Sequence, residues 1–323
     1  MRGRFFGRLL VIVSLVAAVA APVLAPHSGD VSFAGLLNAP PTLPHLIDDA
    51  GSLQVPFIYP WRLVNQLEQV YEQDRSAPVP LVWFAGGRLV QSADESRAPL
   101  MLLGSDSYGR DVFSRLMFGA RTSLSLALLA AFGAMLIGGL IGAIAGYVGG
   151  PTDDVLMRAS DFVLVLPGMY VALALRSVLP LVLDARTVFT MLTAIFAVVG
   201  APYIARGVRG IVRTEARLEY ASAAASLGAS HARVLARHLL PAARGFLIVE
   251  ITMLLPAFIV AEATLSYVGL GFPDQVPSWG TMLHDASSIR TFADFPWLLS
   301  PAAAMFLVVL GVNLMFQDRT IVK

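Results

Sequence analysis

Few side chains in this 323-residue chain are placed to do chemistry, and their types argue against catalysis. Ser222, Ser226 and Ser230 recur every four residues. No histidine and carboxylate surround them in an apolar setting, so nothing prepares a nucleophile. His231 and His238 stand two helical turns apart, a spacing at which a metal pair is conceivable, but two surface histidines are the plain reading and no metal site is expected. Cysteine is absent, which removes thiolate metal sites, cysteine nucleophiles and disulfides together. Lys323 is the only lysine, so the phosphate loop G-x-x-x-x-G-K-[ST] cannot be built, and no H-E-x-x-H occurs. What remains are three ionisable groups inside apolar runs, Arg176, Glu250 and Glu262, with Asp161 at the edge of another. Charge in such surroundings is costly and often functional. Glu262 could line a pathway or gate, but the plainer reading is an interhelical hydrogen bond that holds the outer end of its span. No cofactor is called for.

The elements that position these groups read as membrane helices. The chain is 56% apolar and only 14% charged, where soluble domains run near 25% charged. A net charge of +1 leaves no basic excess for nucleic acid. Apolar runs fall at about 9–25, 122–148, 162–183, 187–205, 246–270 and 297–316. The first follows Arg2, Arg4 and Arg8 and reads either as a cleaved signal or as a retained first span; retention is the expectation. Gly138, Gly142, Gly146 and Gly150 recur every four residues, a helix-packing ladder. The fold class expected is therefore an all-α polytopic membrane protein with six transmembrane helices. A small α+β insertion, 26–101, separates helices 1 and 2, with strands at Leu53–Phe57 and Leu81–Phe84 and an amphipathic helix over Trp61–Gln73 carrying Val64, Leu67 and Tyr71.

Arginine sets the sidedness. The N-terminal arginines, Arg158, the seven arginines from Arg206 to Arg244, and Arg319 with Lys323 fall on one side, which is then cytoplasmic. Both termini join them, and the insertion lies outside. Between spans four and five runs a polar helical hairpin, 206–245, in which Ala221, Ala224 and Gly228 share a face, so another surface can approach the backbone closely. Gly228 is expected to end its first helix in a left-handed conformation, and Leu240-Pro241 to stop its second.

Three stretches, in order, resemble the permease subunits of ABC importers, specifically the second permease of the dipeptide/oligopeptide/nickel family. The first is Leu103-Gly104-Ser105-Asp106-Ser107-Tyr108-Gly109-Arg110-Asp111-Val112-Phe113-Ser114-Arg115, before helix 2. The second is the hairpin, where Ala223, Ala224, Gly228, Leu240 and Pro241 match the E-A-A-x-x-x-G pattern and its L-P end. Ser222 stands at the glutamate position, and Glu219 lies near the same face. The third runs from Ala261 to Gly271 and on through Pro277-Ser278-Trp279-Gly280, a turn that could face an external partner or be a tight loop with an interfacial tryptophan.

The resemblance implies a bacterial inner-membrane translocation subunit, not an enzyme. It implies a second permease as heterodimer partner, two cytoplasmic ATPases that dock on the hairpin, and an external solute-binding protein. Peptides are the implied substrate, with nickel or another small solute as the alternative and a secondary transporter as the competing class. The expected layout is a first helix over 1–25, the insertion over 26–101, a permease domain over 102–317 and a cytoplasmic tail over 318–323.

Overall fold

The computed structural model describes residues 2–48, 51–165, 168–178, 180, 183–287 and 293–316. The tail over 318–323, Pro167, Arg290 and two residues of the 48–51 turn lie outside them, as does the side chain of Ala225. The chain divides into two compact units, Met1–Leu124 with Ser266–Lys323, and Ser125–Leu265.

In the first unit, α1 (Arg2–Val19) packs along the last helix, which is α11 (Ser300–Phe316) in chain order. The contact depends on glycine: a Cβ on Gly7 would lie 2.7 Å from the Gly311 carbonyl oxygen, and one on Gly311 would lie 2.9 Å from Leu10 Cβ. The other side of α1 exposes Phe5, Leu9, Ile12, Val16 and Val19, spaced alternately four and three residues apart, which makes one continuous apolar stripe. A short turn, α2 (Ala21–Leu24), leads into the insertion.

The insertion differs from expectation. It holds four antiparallel strands in the order β1 (His45–Ile47), β2 (Leu53–Ile58), β5 (Val79–Trp83), β6 (Val90–Ser92), over a core of Ile58, Val79, Leu81, Ala98 and Leu100. The two expected strands are present. The helix expected over Trp61–Gln73 is instead a hairpin of β3 (Trp61–Asn65) and β4 (Val70–Gln73). Asn65 explains it: its side-chain oxygen accepts from the backbone N–H of Leu67 and Glu68, a local turn that competes with helix. Trp61, Leu63 and Asn65 alternate with exposed Arg62 and Val64, a period of two. Leu67, placed on a buried helix face by its spacing, is 88% exposed at the turn. Among the described residues the only helical turn within the insertion is the three-residue 3-10 segment Ala85–Gly87.

The second unit is helical. After α3 (Val112–Val148) come α4 (Gly150–Val165), α5 (Gly168–Ser177), α6 (Ala185–Glu215), α7 (Glu219–Ser226), α8 (His231–Val234) and α9 (Arg244–Tyr267). The single helix expected over 162–183 is broken: α4 and α5 bend by 87°. Apolar content reports depth in a membrane but not direction, so the run gave no sign of the bend.

The glycine ladder meets a second ladder on α6. Cβ atoms on Gly138, Gly142 and Gly146 would collide with the carbonyl oxygens of Ala201, Ala205 and Arg209, while Gly133 lies against Ala197. Both helices thus present a four-residue repeat, and the backbones touch. Gly150 is not part of it; it has φ +58° and open space around it. Among the described residues, four helical stretches, Val112–Val148, Ala185–Glu215, His231–Tyr267 and Pro296–Met315, are long and apolar enough to cross a membrane, five with α4 and α5 as one bent span.

Candidate functional site

The hairpin is built by stops and caps. Beyond α6 the chain turns through Arg217 and Leu218, whose N–H groups reach back to Thr214 and Glu215, and α7 begins at Glu219. Tyr220 donates its hydroxyl to Glu215 at 2.5 Å, which sets the angle of α7 to α6. Gly228 ends α7 with φ +84°, and Ala229 N–H bonds back to the Ala224 carbonyl at 3.1 Å, the six-to-one bond of a Schellman stop. Ser230 then caps α8, its hydroxyl accepting from Arg233 N–H. His231 lies 2.7 Å from the Tyr147 hydroxyl on α3, and His238 sits against the Tyr220 ring, so the two histidines serve separate contacts.

Ala221, Val234 and Leu239 are buried beneath the hairpin. Glu219, Ser222, Ala223 and Leu227 face outward. The Ser222 hydroxyl donates to the Glu219 carbonyl at 2.8 Å, so it is spent on its own helix. Leu240 and Pro241 do not stop the second helix, contrary to expectation. The helical path runs on from His231 to Tyr267, changing from α to a π turn at Leu235–Leu239, then to a 3-10 turn at Leu240–Ala243, then back to α. Pro241 lacks an N–H, and the wider and tighter turns absorb the lost bond without breaking the rod.

Below the hairpin, α4 and α6 are clamped by charge. Arg209 donates Nε and Nη2 to the two oxygens of buried Asp153, and Arg213 Nη1 adds a longer bond at 3.4 Å. Arg209 is also the residue whose carbonyl faces Gly146, so one position serves both the ladder and the clamp. A more exposed pair, Arg206 with Asp161, repeats the link at 2.5 Å.

The glycine- and charge-rich stretch before helix 2 forms a second cluster, within the first unit. Gly104 (φ +72°) and Gly109 (φ +74°) take left-handed turns where Cβ atoms would strike the Ala39 and Phe33 backbones. Asp106 accepts from the backbone of Tyr108 and Arg110 and from Arg110 Nε at 2.7 Å. Arg110 reaches on to Asp285 at 2.7 Å and to the Asp274 carbonyl at 2.8 Å. Arg115 spans from the Gly29 to the Asp274 carbonyl, at 3.2 Å each. Asp111 caps α3 through the N–H groups of Phe113 and Ser114, with His27 Nδ1 at 3.4 Å. The stretch therefore joins segments near 29, 110, 274 and 285. Asp274 and Asp285 carried no sequence signal linking them to it.

Trp279 is buried and donates Nε1 to the Leu116 carbonyl, while Ser278 caps α10 (Trp279–Asp285). Burial pushes the Asp285 carboxyl up to about 6, against the pull of Arg110. Because the folded state holds this proton more tightly than the unfolded chain, its contribution to stability is full below about pH 4 and lost as pH rises through 6. Asp285→Asn should flatten the thermal-unfolding midpoint between pH 4 and 6.5, where the wild type falls, by a term of at most about 3 kcal/mol.

In the second unit a groove of about 610 Å³ runs between α5, α6 and α9, lined by Gly168, Phe196, Tyr203, Glu250, Phe258 and Thr264 among others. Phe196 and Phe258 stack at 5.4 Å along it. Of the ionisable residues singled out by sequence, Glu250 lines this groove and Glu262, fully buried, does not. Arg176 is buried and donates to the Pro180 carbonyl at 3.1 Å, closing off the end of its own helix.

Residues 138–317 match the family described as binding-protein-dependent transport system inner membrane component. The oligopeptide transport system permease protein OppC of Bacillus subtilis (strain 168) is 37% identical over 223 residues, 69% of this chain and 70% of that protein. The glutathione transport system permease protein GsiD of Pectobacterium atrosepticum is 36% identical over 66% of this chain and 68% of its own length. Among solved structures, an inward-facing MetNI methionine ABC transporter aligns with 64% of this chain and 96% of its own at 18% identity and a TM-score of 0.49. The chain thus belongs to the inner membrane permease components of binding-protein-dependent ABC transporters, which are transport subunits and not enzymes.

Proposed function

We propose that this chain is one of two permeases in an ATP-driven importer of di- and oligopeptides, coupled to its ATPases through the hairpin α7–Gly228–α8. The observation that carries this is the hairpin itself: a capped helical pair whose outer residues, Glu219, Ser222, Ala223 and Leu227, are exposed. The peptide substrate is supported by relatives named for oligopeptide, dipeptide and glutathione transport.

Six spans follow if α1 and the bent α4–α5 pair are counted with the four long helices. Three arginines in its eighteen residues set α1 apart from those four, and all three lie in its first seven residues, leaving an apolar remainder. With arginine on the cytoplasmic side, both termini and the hairpin are cytoplasmic and the β insertion is external. There it can meet the solute-binding protein, while the groove beside Glu250 faces the second permease and the transported chain.

Glu219 takes over the part of the carboxylate missing at Ser222. Glu219→Ala should lower substrate-stimulated ATP hydrolysis of the purified complex about tenfold, the worth of one hydrogen bond to a charged group. Ser222→Ala should leave it unchanged. The overall function is tested by deletion: cells lacking the chain should lose uptake of labelled di- and tripeptides and regain it on complementation. Intact peptide uptake with lost nickel uptake would favour the metal.

A further inference from the structure

The β5–β6 turn is the part of the insertion with no evident task. Val79 and Leu81 on β5 enter the core, and Trp83 continues the same alternation but leaves its ring half exposed as the sheet ends. Phe84 follows with 77% of its surface exposed and a left-handed backbone, φ +56° and ψ +25°, which a bulky residue takes only at a cost. Gly86 and Gly87 complete the reversal, both with positive φ, and Phe84 N–H bonds Leu89 O at 3.1 Å across it.

This turn is held against α2 and the residue two beyond it, just past the C-terminal end of α1. Leu89 N–H donates to the Val23 carbonyl at 2.7 Å, Arg88 Nη1 donates to the Pro26 carbonyl, and Gln91 Nε2 reaches the same oxygen at 3.5 Å. Two exposed aromatic rings are thereby fixed close to where the apolar stripe of α1, ending at Val19 and followed by exposed Val23 on α2, gives way to polar sequence.

We propose that the Trp83–Phe84 turn is a membrane-interface anchor, seated in the lipid headgroup layer beside the C-terminal end of α1. This rests on α1 being a membrane helix. Tryptophan and other amphipathic rings favour that layer, where one side of the ring meets acyl chains and the other meets water. Continuity with the α1 stripe favours lipid over a protein partner: the tether fixes depth, whereas a protein contact would not require the turn to be tied to the helix end. The anchor would hold the β insertion upright on the membrane and limit its tilt relative to the spans.

The chain has no cysteine, so single-cysteine variants can be labelled directly. Trp83→Cys, Phe84→Cys and, on the α1 stripe, Val16→Cys would each carry a nitroxide in the full-length chain. The protein is purified with its accompanying subunits and placed in phosphatidylethanolamine/phosphatidylglycerol nanodiscs. Labels at 83 and 84 are expected to collide several-fold more with oxygen, which partitions into lipid, than with a water-soluble paramagnetic chelate, as at 16. Phe84→Asn keeps the left-handed turn and should shift the label at 83 towards water. Aqueous labels at 83 and 84 with a lipid-facing label at 16 would overturn the anchor, leave α1 in the membrane, and point to a protein partner such as the solute-binding protein. An aqueous label at 16 would overturn the membrane reading of α1 and the anchor with it.

Discussion

Replacing Gly228 by valine should abolish peptide uptake while the chain still accumulates in the membrane. Gly228 has φ +84°, and a Cβ built there meets nothing within 4 Å. The substitution is therefore a backbone problem and not a packing one. A β-branched residue in the left-handed region costs on the order of 1–2 kcal/mol or more, enough to unwind the stop of α7. The Ala229-to-Ala224 bond goes with it, and the outward residues from Glu219 to Leu227 lose their fixed relation to α8. Gly228 lies outside the long apolar helices, so insertion and stability should be close to wild type. Asparagine tolerates the left-handed turn, and Gly228→Asn should retain most of the uptake. Immunoblots of membranes alongside peptide-uptake rates separate the two effects. Equal loss in both variants would mean that the turn's conformation is not what matters.

Gly142→Val should act in the opposite way, removing the protein from the membrane. A side chain at 142 would drive into the Ala205 carbonyl and press on Val208, in the middle of a ladder where α3 and α6 touch backbone to backbone. Overpacking of this kind costs about 1–3 kcal/mol where neighbours can yield, and a helix backbone yields least. Moving α3 away would also pull Gly146 from Arg209, the residue that clamps Asp153. Gly139 sits one residue round from Gly138 with open space at its Cβ, so Gly139→Ala should accumulate normally. The comparison is read as full-length protein in washed membranes.

These two glycines were both legible in the sequence, because a four-residue repeat and a helix-ending glycine are local signals. So were the apolar runs that became α3, α6 and α9, since apolar content over about twenty residues tracks a spanning helix. What was not legible was long-range or directional. Val64, Leu67 and Tyr71 fit a helical spacing as well as they fit a hairpin, and only the Asn65 side chain, turned onto Leu67 and Glu68, decides between them. Pro241 signals a break, yet a π turn before it lets the helix continue. Arg110 and Arg115 also bond to Asp274, and Arg110 to Asp285, each more than 150 residues away, where no spacing rule reaches. Glu250 and Glu262 stood out alike as charges in apolar runs, and only the fold separates them, placing Glu250 on the groove and burying Glu262.

Uptake by proteoliposomes containing the purified complex tests most directly whether this chain is the permease of an ATP-driven importer. With solute-binding protein and labelled peptide outside, uptake should require ATP on the side the hairpin faces. It should persist when protonophore collapses ion gradients, and vanish with Gly228→Val. Uptake that proceeds without ATP and stops on addition of protonophore would contradict the account and make the chain a secondary transporter.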